Sequence, residues 1–290
     1  MNKTYGITLL LFSSLMFGSY GVWSKLIGAS MSPFFQGWSR GLVISLILLP
    51  VLYYLRLIVP IKREDWKWLA VFAVFTSATQ APLFYAFTHM DIGSATLLFF
   101  TSMLLTMYAV GFLFLGEGVT DVKITSFVIA CAGMYMVFSF SLAAFSIFAA
   151  LMAVLNGVAS GGEVSFSKRL LPYSALYLSW ISWTAIFLVN APISLFLHEA
   201  QVPLALSSPW FWQLCYTIAS LLGFWAVIEG LKYLEAGVGG LLGLLEIIFS
   251  IGFGIILFGE KLTSQVAIGA ILILTAAALP HIRELYTKPA

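Results

Sequence analysis

Apolar residues run through the chain in long stretches that short polar segments separate. As a helix, a run of about 20 apolar residues crosses the roughly 30 Å hydrocarbon core of a bilayer. Such stretches lie near residues 4–27, 33–55, 66–88, 92–115, 121–139, 145–167, 174–197, 210–231, 237–258 and 263–281. The pattern predicts an all-α polytopic membrane protein with ten transmembrane helices and no soluble domain between them.

The composition agrees with a protein that folds in lipid. Of the 290 residues, 61% are hydrophobic and 9% are charged, whereas an ordinary soluble domain carries about 25% charged residues. The net charge of +2 has no basic block behind it, which argues against nucleic acid as a partner. Cys131 and Cys215 lie in apolar stretches without Cys or His companions, so we interpret them as small buried hydrophobic residues. We expect no metal site and no cofactor.

Lysine and arginine residues predict the orientation of the spans. The first stretch begins near Tyr5 and lacks a cleavage motif, so we expect it to be retained as a span. With a cytoplasmic amino terminus, the outer side receives only Lys25 and Lys261, and the inner side receives Lys3, Arg56, Lys62, Arg63, Lys67, Lys123, Lys168, Arg169, Lys232, Arg283 and Lys288. The positive-inside rule therefore predicts cytoplasmic termini. We expect an integral protein of the cytoplasmic membrane of a prokaryote, as a monomer or homodimer.

An internal repeat divides the chain into halves. FGSYGVWSK at residues 17–25 resembles SGGEVSFSK at residues 160–168, and FLGE at 114–117 resembles LFGE at 257–260, both at an offset of 143. DIGSATLL at 91–98 resembles EAGVGGLL at 235–242 at an offset of 144. Because each half has five spans, the second half must enter the membrane from the opposite side. The sequence predicts two inverted five-helix repeats, residues 1–143 and 144–290.

With these residues the chain resembles the drug/metabolite transporter superfamily, EamA type. The supporting features are WSK and FSK at the ends of spans one and six, Arg40 inside span two, and Gly-Glu at 116–117 and 259–260. The resemblance implies a central cavity lined by the first four spans of each half, with spans five and ten aside. It also implies transport of small organic solutes, often outward. The family often has proline after the glutamate of span nine, but Ile247 follows Glu246 here, which removes the usual cause of a kink.

Three ionisable residues inside spans are candidates for the transport site, because each is costly in hydrocarbon unless it is paired or hydrated. Glu246 lies near the middle of span nine, and either binds solute or protons in the cavity or is a neutral carboxyl group hydrogen-bonded between helices. Arg40 either pairs with a fixed partner such as Glu246 or faces the cavity and binds a substrate carboxylate. Glu163 replaces Tyr20 at the equivalent repeat position, and is either a cavity residue or an interfacial one.

Aromatic residues form a second group of candidates. Tyr20, Tyr85 and Trp183 lie in spans that should surround the cavity, where their rings could stack on planar or cationic solutes. Rings that face lipid would have no such role. We prefer Tyr20 because it is equivalent to Glu163, and Tyr85 because its helix has further polar residues.

Other charged residues have simpler structural interpretations. Gly116 and Gly259 are expected to end helices, and Glu117 and Glu260 to cap the helices that follow. Lys25 and Lys168 end equivalent helices, so we expect them to be interfacial anchors. Glu229 precedes Lys232 by three residues, which favours an interfacial ion pair. Gly18 and Gly161 are expected to share an architectural role.

These observations predict a secondary transporter that moves a small organic solute, such as an amino acid, related metabolite or drug-like compound. We expect export by alternating access through a midplane cavity between the repeats, with protons as the candidate coupling ion at Glu246 or Glu163. A passive facilitator is the first alternative, and a lipid-handling protein is the second. The sequence contains no HExxH, GxSxG or Walker motif, so we do not expect an enzyme.

Overall fold

In the computed structural model, residues 2–138 and 146–287 are described, with side-chain surroundings as far as Ile282. This part of the chain is helical, without strands. Its helices are α1 (Lys3–Gly18), α2 (Tyr20–Ile27), α3 (Pro33–Tyr54), α4 (Trp66–Ser77), α5 (Ala81–His89), α6 (Ile92–Leu115), α7 (Asp121–Phe138), α8 (Ile147–Phe166), α9 (Ala175–Phe196), α10 (Ser208–Leu231), α11 (Ala236–Gly243), α12 (Leu245–Phe258) and α13 (Ser264–Thr287). The expected boundary between repeats at residues 143 and 144 lies outside the described residues, as do Lys288 and the side chain of Arg283.

Ten segments of this structure are long and apolar enough to cross a membrane. Span 1 combines α1 and α2, span 3 combines α4 and α5, span 9 combines α11 and α12, and each remaining span is built on one helix. The prediction of ten spans is confirmed, and the bounds agree within a few residues. Helix was expected because a backbone in hydrocarbon must satisfy its own hydrogen bonds.

Span 3 is interrupted between α4 and α5, close to Pro82. Because proline has no backbone N–H, the carbonyl of Ala78 four residues earlier cannot receive its usual helical hydrogen bond. The side chain of Asn156 in span 6 donates to this carbonyl instead, at 3.5 Å. A side chain of the other half of the chain therefore compensates for the break.

Span 9 is interrupted at Leu244, between α11 and α12, although it lacks the proline that commonly follows its glutamate. The hydroxyl of Ser14 in span 1 donates to the carbonyl of Leu242 at 3.0 Å and approaches that of Gly243 at 3.5 Å. Competition from a neighbouring hydroxyl weakens the helical hydrogen bonds at this point. The sequence analysis linked a kink at this point to proline, but the helix is interrupted here without one. The interruption places Glu246 in the first turn of α12.

The packing of the spans relates the two halves of the chain. Span 1 packs against spans 8 and 9, span 6 packs against spans 3 and 4, span 2 packs against span 7, and span 5 packs mainly against span 10. A Cβ atom at Gly18 would lie 2.8 Å from the carbonyl oxygen of Glu246, and one at Gly161 would lie 2.5 Å from that of Met103. Glu246 and Met103 are themselves 143 residues apart. The expected shared role of the two glycines is confirmed as close helix contact.

The Gly-Glu motifs at residues 116–117 and 259–260 behave alike. Gly116 and Gly259 end their helices with φ of 71° and 65°, in the left-handed region that glycine adopts most easily. The expected capping by Glu117 and Glu260 is wrong. Thr120 and Thr263 lie beside the first backbone N–H groups of the next helices, and their hydroxyl groups accept hydrogen bonds from the N–H groups of Lys123 and Val266.

Candidate functional site

Arg40 lies in the middle of the bundle, where it is 3% exposed. Its Nε donates to the carbonyl of Gln36 at 3.1 Å, and its Nη1 donates to the hydroxyl of Ser220 at 3.3 Å. The guanidinium carbon lies 3.7 Å from the centre of the Tyr216 ring. Span 2 therefore carries a cation that spans 7 and 8 enclose mainly with rings and a hydroxyl group.

No carboxylate lies within ion-pair distance of Arg40 among the described residues. Guanidinium has five N–H donors, and only two of them have partners in this part of the chain. The suggested fixed pair with Glu246 is not formed. The positive charge therefore depends on neutral rings and dipoles, an arrangement that leaves donors available to an incoming anion.

Tyr20 lies beside Arg40, on the span against which Glu246 packs. Its ring centre lies 5.8 Å from the guanidinium carbon and 4.6 Å from the centre of the Tyr216 ring. Its hydroxyl lies beside Ser220. Two residues earlier, a Cβ atom at Gly18 would lie 2.8 Å from the carbonyl oxygen of Glu246. We call Tyr20, Arg40, Tyr216, Ser220 and Glu246 the central cluster, which residues of both halves of the chain build.

The carboxyl group of Glu246 is half-buried in the first turn of α12. In the described structure no hydrogen bond or ion pair ties it to a neighbouring side chain. The interpretation as a carboxyl group hydrogen-bonded between helices is therefore wrong. Gly243 lies one turn away, and a Cβ added there would have nothing within 4 Å. An unpartnered carboxyl group near open space at Gly243 is compatible with solute or proton binding.

Glu163 lies in a different environment, between spans 3, 6 and 7. Its Oε1 accepts hydrogen bonds from the hydroxyl groups of Thr76 at 2.7 Å and Ser182 at 2.6 Å. The residue is 5% exposed, so the interfacial interpretation is wrong. Because the neighbouring donors are neutral hydroxyl groups, a proton could bind or leave this carboxyl group without breaking an ion pair.

The aromatic candidates separate in the structure. Trp183 borders the central cluster, with its ring centre 6.0 Å from the Arg40 guanidinium carbon and its indole N–H without a partner among described residues. Tyr85 lies elsewhere, stacked on His89 at 4.0 Å and edge-on to Phe148. The structure does not bring Tyr85 to the other candidates, and its role in binding stays a prediction.

Sequence reasoning missed several polar residues of these two sites. Tyr216 and Ser220 hold Arg40, while Thr76 and Ser182 hold Glu163. Gln213 donates to the carbonyl of Gln36, one helical turn before Arg40, and to the hydroxyl of Ser39, the residue directly before it. Ser and Thr are common in membrane helices, so the usable signal was the repeat: Ser220 and Ser77 are 143 residues apart, as are Ser182 and Ser39.

Two Lys–Glu ion pairs lie at opposite ends of the bundle. Lys168 pairs with Glu117 at 2.6 Å, with both side chains mostly buried, on the face where the chain begins, which we call the N-terminal face. Lys25 pairs with Glu260 at 3.0 Å on the opposite face, with more than half of each side chain exposed. Each lysine therefore has an ion-pair partner, and its expected anchor role stays a prediction. The expected pair of Glu229 and Lys232 is confirmed, at 2.7 Å.

A cavity of about 460 Å³ opens on the N-terminal face beside the buried ion pair. It is lined by Lys3, Leu115, Glu117, Lys168, Arg169, Leu171, Lys232, Tyr233, Leu234, Glu235, Val238, Pro280 and His281. It therefore lies at the end of the bundle, away from Arg40 and Glu246. Across the residues that the structure describes, no three His, Cys, Asp or Glu side chains come together as a metal site would require.

Comparison with known proteins decides the family. The model of the EamA-like transporter family matches residues 4–139 and 147–280, which are the two halves of the chain. The chain belongs to the EamA-like transporter family. A solved crystal structure shares its fold with a TM-score of 0.81 and 17% identity, over 98% of this chain and 99% of the other. No curated protein sequence matches it.

Membership fixes the coarse features of the protein. The EamA family consists of membrane transporters of the drug/metabolite type, and its two matched segments give this chain a two-repeat architecture. Family membership and the ten apolar helices together identify the chain as an integral membrane protein. The predicted family resemblance and all-helical fold class are confirmed.

Proposed function

We propose that this EamA-family protein is a secondary transporter that moves a small organic solute through the central cluster by alternating access. The single observation that carries the proposal is that Arg40 is buried against aromatic rings without a carboxylate partner among the described residues, while span 9 holds Glu246 against span 1 at Gly18. Charged groups within a bilayer are costly, and they commonly mark a solute or ion pathway. Export from the cytoplasm and cytoplasmic termini are part of the proposal.

The unequal closure of the two faces supports alternating access. On the N-terminal face, Glu117 accepts a hydrogen bond from Lys168 in span 6 and from the backbone N–H of Ala236 in span 9, the latter at 2.8 Å. On the opposite face, Lys25 and Glu260 are 54% and 58% exposed. The cavity on the N-terminal face is not lined by Arg40 or Glu246. We therefore interpret this conformation as closed to the central cluster on the N-terminal face and accessible from the other.

Proton coupling through Glu246 or Glu163 completes the proposed mechanism. Neither carboxyl group has a cationic partner in the described structure, so protonation would not break an ion pair at either residue. Protonated Glu246 would lose its attraction for a cationic group of the solute, and would change the net charge beside Arg40. A proton gradient could then bias the direction in which the solute is released.

The test begins with identification of a solute. Purified protein is screened by thermal unfolding against amino acids, nucleosides, aromatic cations and polyamines, because a ligand that binds only the folded state stabilises it. Each stabilising solute is then assayed for uptake into proteoliposomes, with and without a pH gradient. We expect the gradient to drive accumulation in the wild type, and expect E246Q or E163Q to remove that dependence.

An exposed loop carboxylate provides the control, because E64Q leaves both transport and its pH dependence unchanged if the effect is specific. Uptake that ignores the gradient, with E246Q and E163Q both fully active, would establish a passive facilitator and refute coupling. If no screened solute both stabilises the protein and enters proteoliposomes, the proposal of organic-solute transport is wrong.

A further inference from the structure

We infer that the solute carries a carboxylate and that Arg40 binds it. The inference rests on the proposed transport function and specifies the substrate class of the central cluster. Arg40 is 3% exposed, has no carboxylate partner among the described residues, and uses only two of its donors there. A planar carboxylate matches the two parallel N–H groups that a guanidinium offers along one edge.

The Tyr216 ring covers one face of the Arg40 guanidinium and so limits the direction from which an anion can approach. With the guanidinium carbon 3.7 Å above the ring centre, an anion cannot approach through that face. An anion therefore approaches in the guanidinium plane, where the donors point. Nearby, the indole N–H of Trp183 is buried without a partner in the described part of the chain, and offers a further donor.

Glu246 extends this inference to zwitterions. When Glu246 is ionised, its negative charge offsets that of Arg40. Span 9 holds Glu246 against span 1 near Tyr20, since a Cβ atom at Gly18 would lie 2.8 Å from its carbonyl oxygen. A solute with both a carboxylate and an ammonium group complements both charges. The aromatic neighbours Tyr216, Tyr20 and Trp183 favour a solute that also carries a ring.

Three probes of one skeleton test the assignment: 3-phenylpropionate, phenethylamine and L-phenylalanine. Thermal unfolding is measured with each probe for the wild type, R40K and R40Q. We expect both carboxylate-bearing probes to stabilise the wild type and phenethylamine alone to have little effect. R40Q should weaken carboxylate binding about tenfold or more, because a hydrogen bond to a charged group is lost. R40K, which keeps the charge without the planar pair of donors, should give an intermediate loss.

The unliganded proteins distinguish binding from a structural role. An arginine that binds solute is a buried charge without a fixed partner, so R40Q should unfold at the same temperature as the wild type or higher. The exposed loop variant R63Q is the control and should leave probe binding unchanged. If a solute without a carboxylate is transported and R40Q transports it normally, transport is established and the carboxylate assignment is wrong. A lower unfolding temperature of R40Q with unchanged carboxylate binding would also overturn it.

The two ion pairs carry a second, independent inference, because they occupy equivalent positions of the repeat. Lys25 and Lys168 are 143 residues apart, as are Glu260 and Glu117. On the N-terminal face the pair also holds the start of span 9: both carboxylate oxygens of Glu117 lie 2.8 Å from the N–H of Ala236, and Lys168 donates to the carbonyl of Leu234 at 2.7 Å. We call this arrangement the latch.

The segment equivalent to Leu234–Ala236 lies at Met90–Ile92, at the offset of 144 that relates residues 91–98 to 235–242. In the described structure Lys25 and Glu260 make no hydrogen bond to this segment. The geometry points to a mirrored latch, formed when the protein opens on the N-terminal face. Glu260 would then accept from the N–H of Ile92, and Lys25 would donate to the carbonyl of Met90.

One substitution between the repeats makes the mirrored latch weaker. Beside the existing latch, Lys123 forms an ion pair with Glu235. The position equivalent to Glu235 is Asp91, but the position equivalent to Lys123 is Val266. The mirrored latch would therefore bring Glu260 near Asp91 without a lysine to offset the repulsion. This asymmetry favours the conformation that is closed on the N-terminal face.

Labelling of one engineered cysteine tests the mirrored latch without any substrate. G243C, beside Glu246, is introduced after C131A and C215A, and its reaction with a membrane-impermeant maleimide is measured from each face. We expect E117Q to speed labelling from the N-terminal face by about threefold or more, because a charge-assisted hydrogen bond is lost. E260Q should slow it, and D91N should speed it.

E64Q is the matched control and should leave the labelling unchanged. If E260Q leaves labelling from the N-terminal face unchanged or speeds it, the mirrored latch is wrong, whatever the transport assays show. E260Q and D91N alter exposed positions, so the test does not depend on the folding of E117Q.

Discussion

At the residue scale, each charge within the bundle is stabilised differently. Arg40 lies against rings and has no anion among its described neighbours. Glu163 receives two hydrogen bonds from hydroxyl groups, and Glu246 has no side-chain partner in the described structure. The cost of a charge in hydrocarbon makes all three noticeable in the sequence. The surroundings of each charged residue are built by residues from other spans, so they differ from one charge to the next.

The contacts of Glu163 give a stability prediction. The hydroxyl groups of Thr76 and Ser182 are fully buried and both donate to its Oε1. E163A removes this acceptor and should lower the free energy of unfolding by roughly 1–3 kcal/mol, because buried donors are left unsatisfied. Thermal unfolding in detergent measures the loss.

E163Q is the matched variant, because its amide oxygen can accept from both hydroxyl groups. It should unfold near the wild-type temperature. Equal losses in E163A and E163Q would show that the negative charge, and not the acceptor, stabilises the site.

At the element scale, glycines set how closely the spans of the two halves approach. Gly18 lies against Glu246 and Phe249, and Gly161 lies against Met103. Small residues allow such contact between membrane helices, where van der Waals packing drives association. The position of Glu246 relative to span 1 therefore depends on the absence of a side chain at Gly18.

Alanine substitutions test these contacts. In G18A and G161A the new methyl group would lie within 2.8 Å of a backbone oxygen, and overpacking should cost roughly 1–3 kcal/mol of stability. G21A is the control, because its Cβ would meet only the Ser250 hydroxyl, at 3.8 Å. Thermal unfolding of the three variants should rank G21A at or above the wild type and the other two below it. A destabilised G21A beside unaffected G18A and G161A would contradict this account.

At the scale of the whole molecule, ten spans place both termini on one side of the membrane if every span crosses. The excess of lysine and arginine on the N-terminal face predicts that this side is cytoplasmic. Single cysteines in the C131A and C215A background test the orientation. L206C, in an exposed loop on the opposite face, should react with an impermeant maleimide in intact cells.

R63C, in the exposed loop between spans 2 and 3, should react only after the cells are made permeable. The reverse result would place both termini outside the cytoplasm and invert the proposed direction of closure.

The sequence by itself determined the ten spans, the repeat and the family, since these depend on long apolar runs and on recurring residues such as Gly18 and Gly161. It also identified Arg40, Glu163 and Glu246, because a charge inside an apolar run is conspicuous. Only the tertiary structure decided that Arg40 and Glu246 do not pair, that Ser14 bonds to span 9 where its helix is interrupted, and that Glu117 joins Lys168. The physical reason is that these contacts link residues distant in the chain, while hydropathy and spacing report only local properties of a helix.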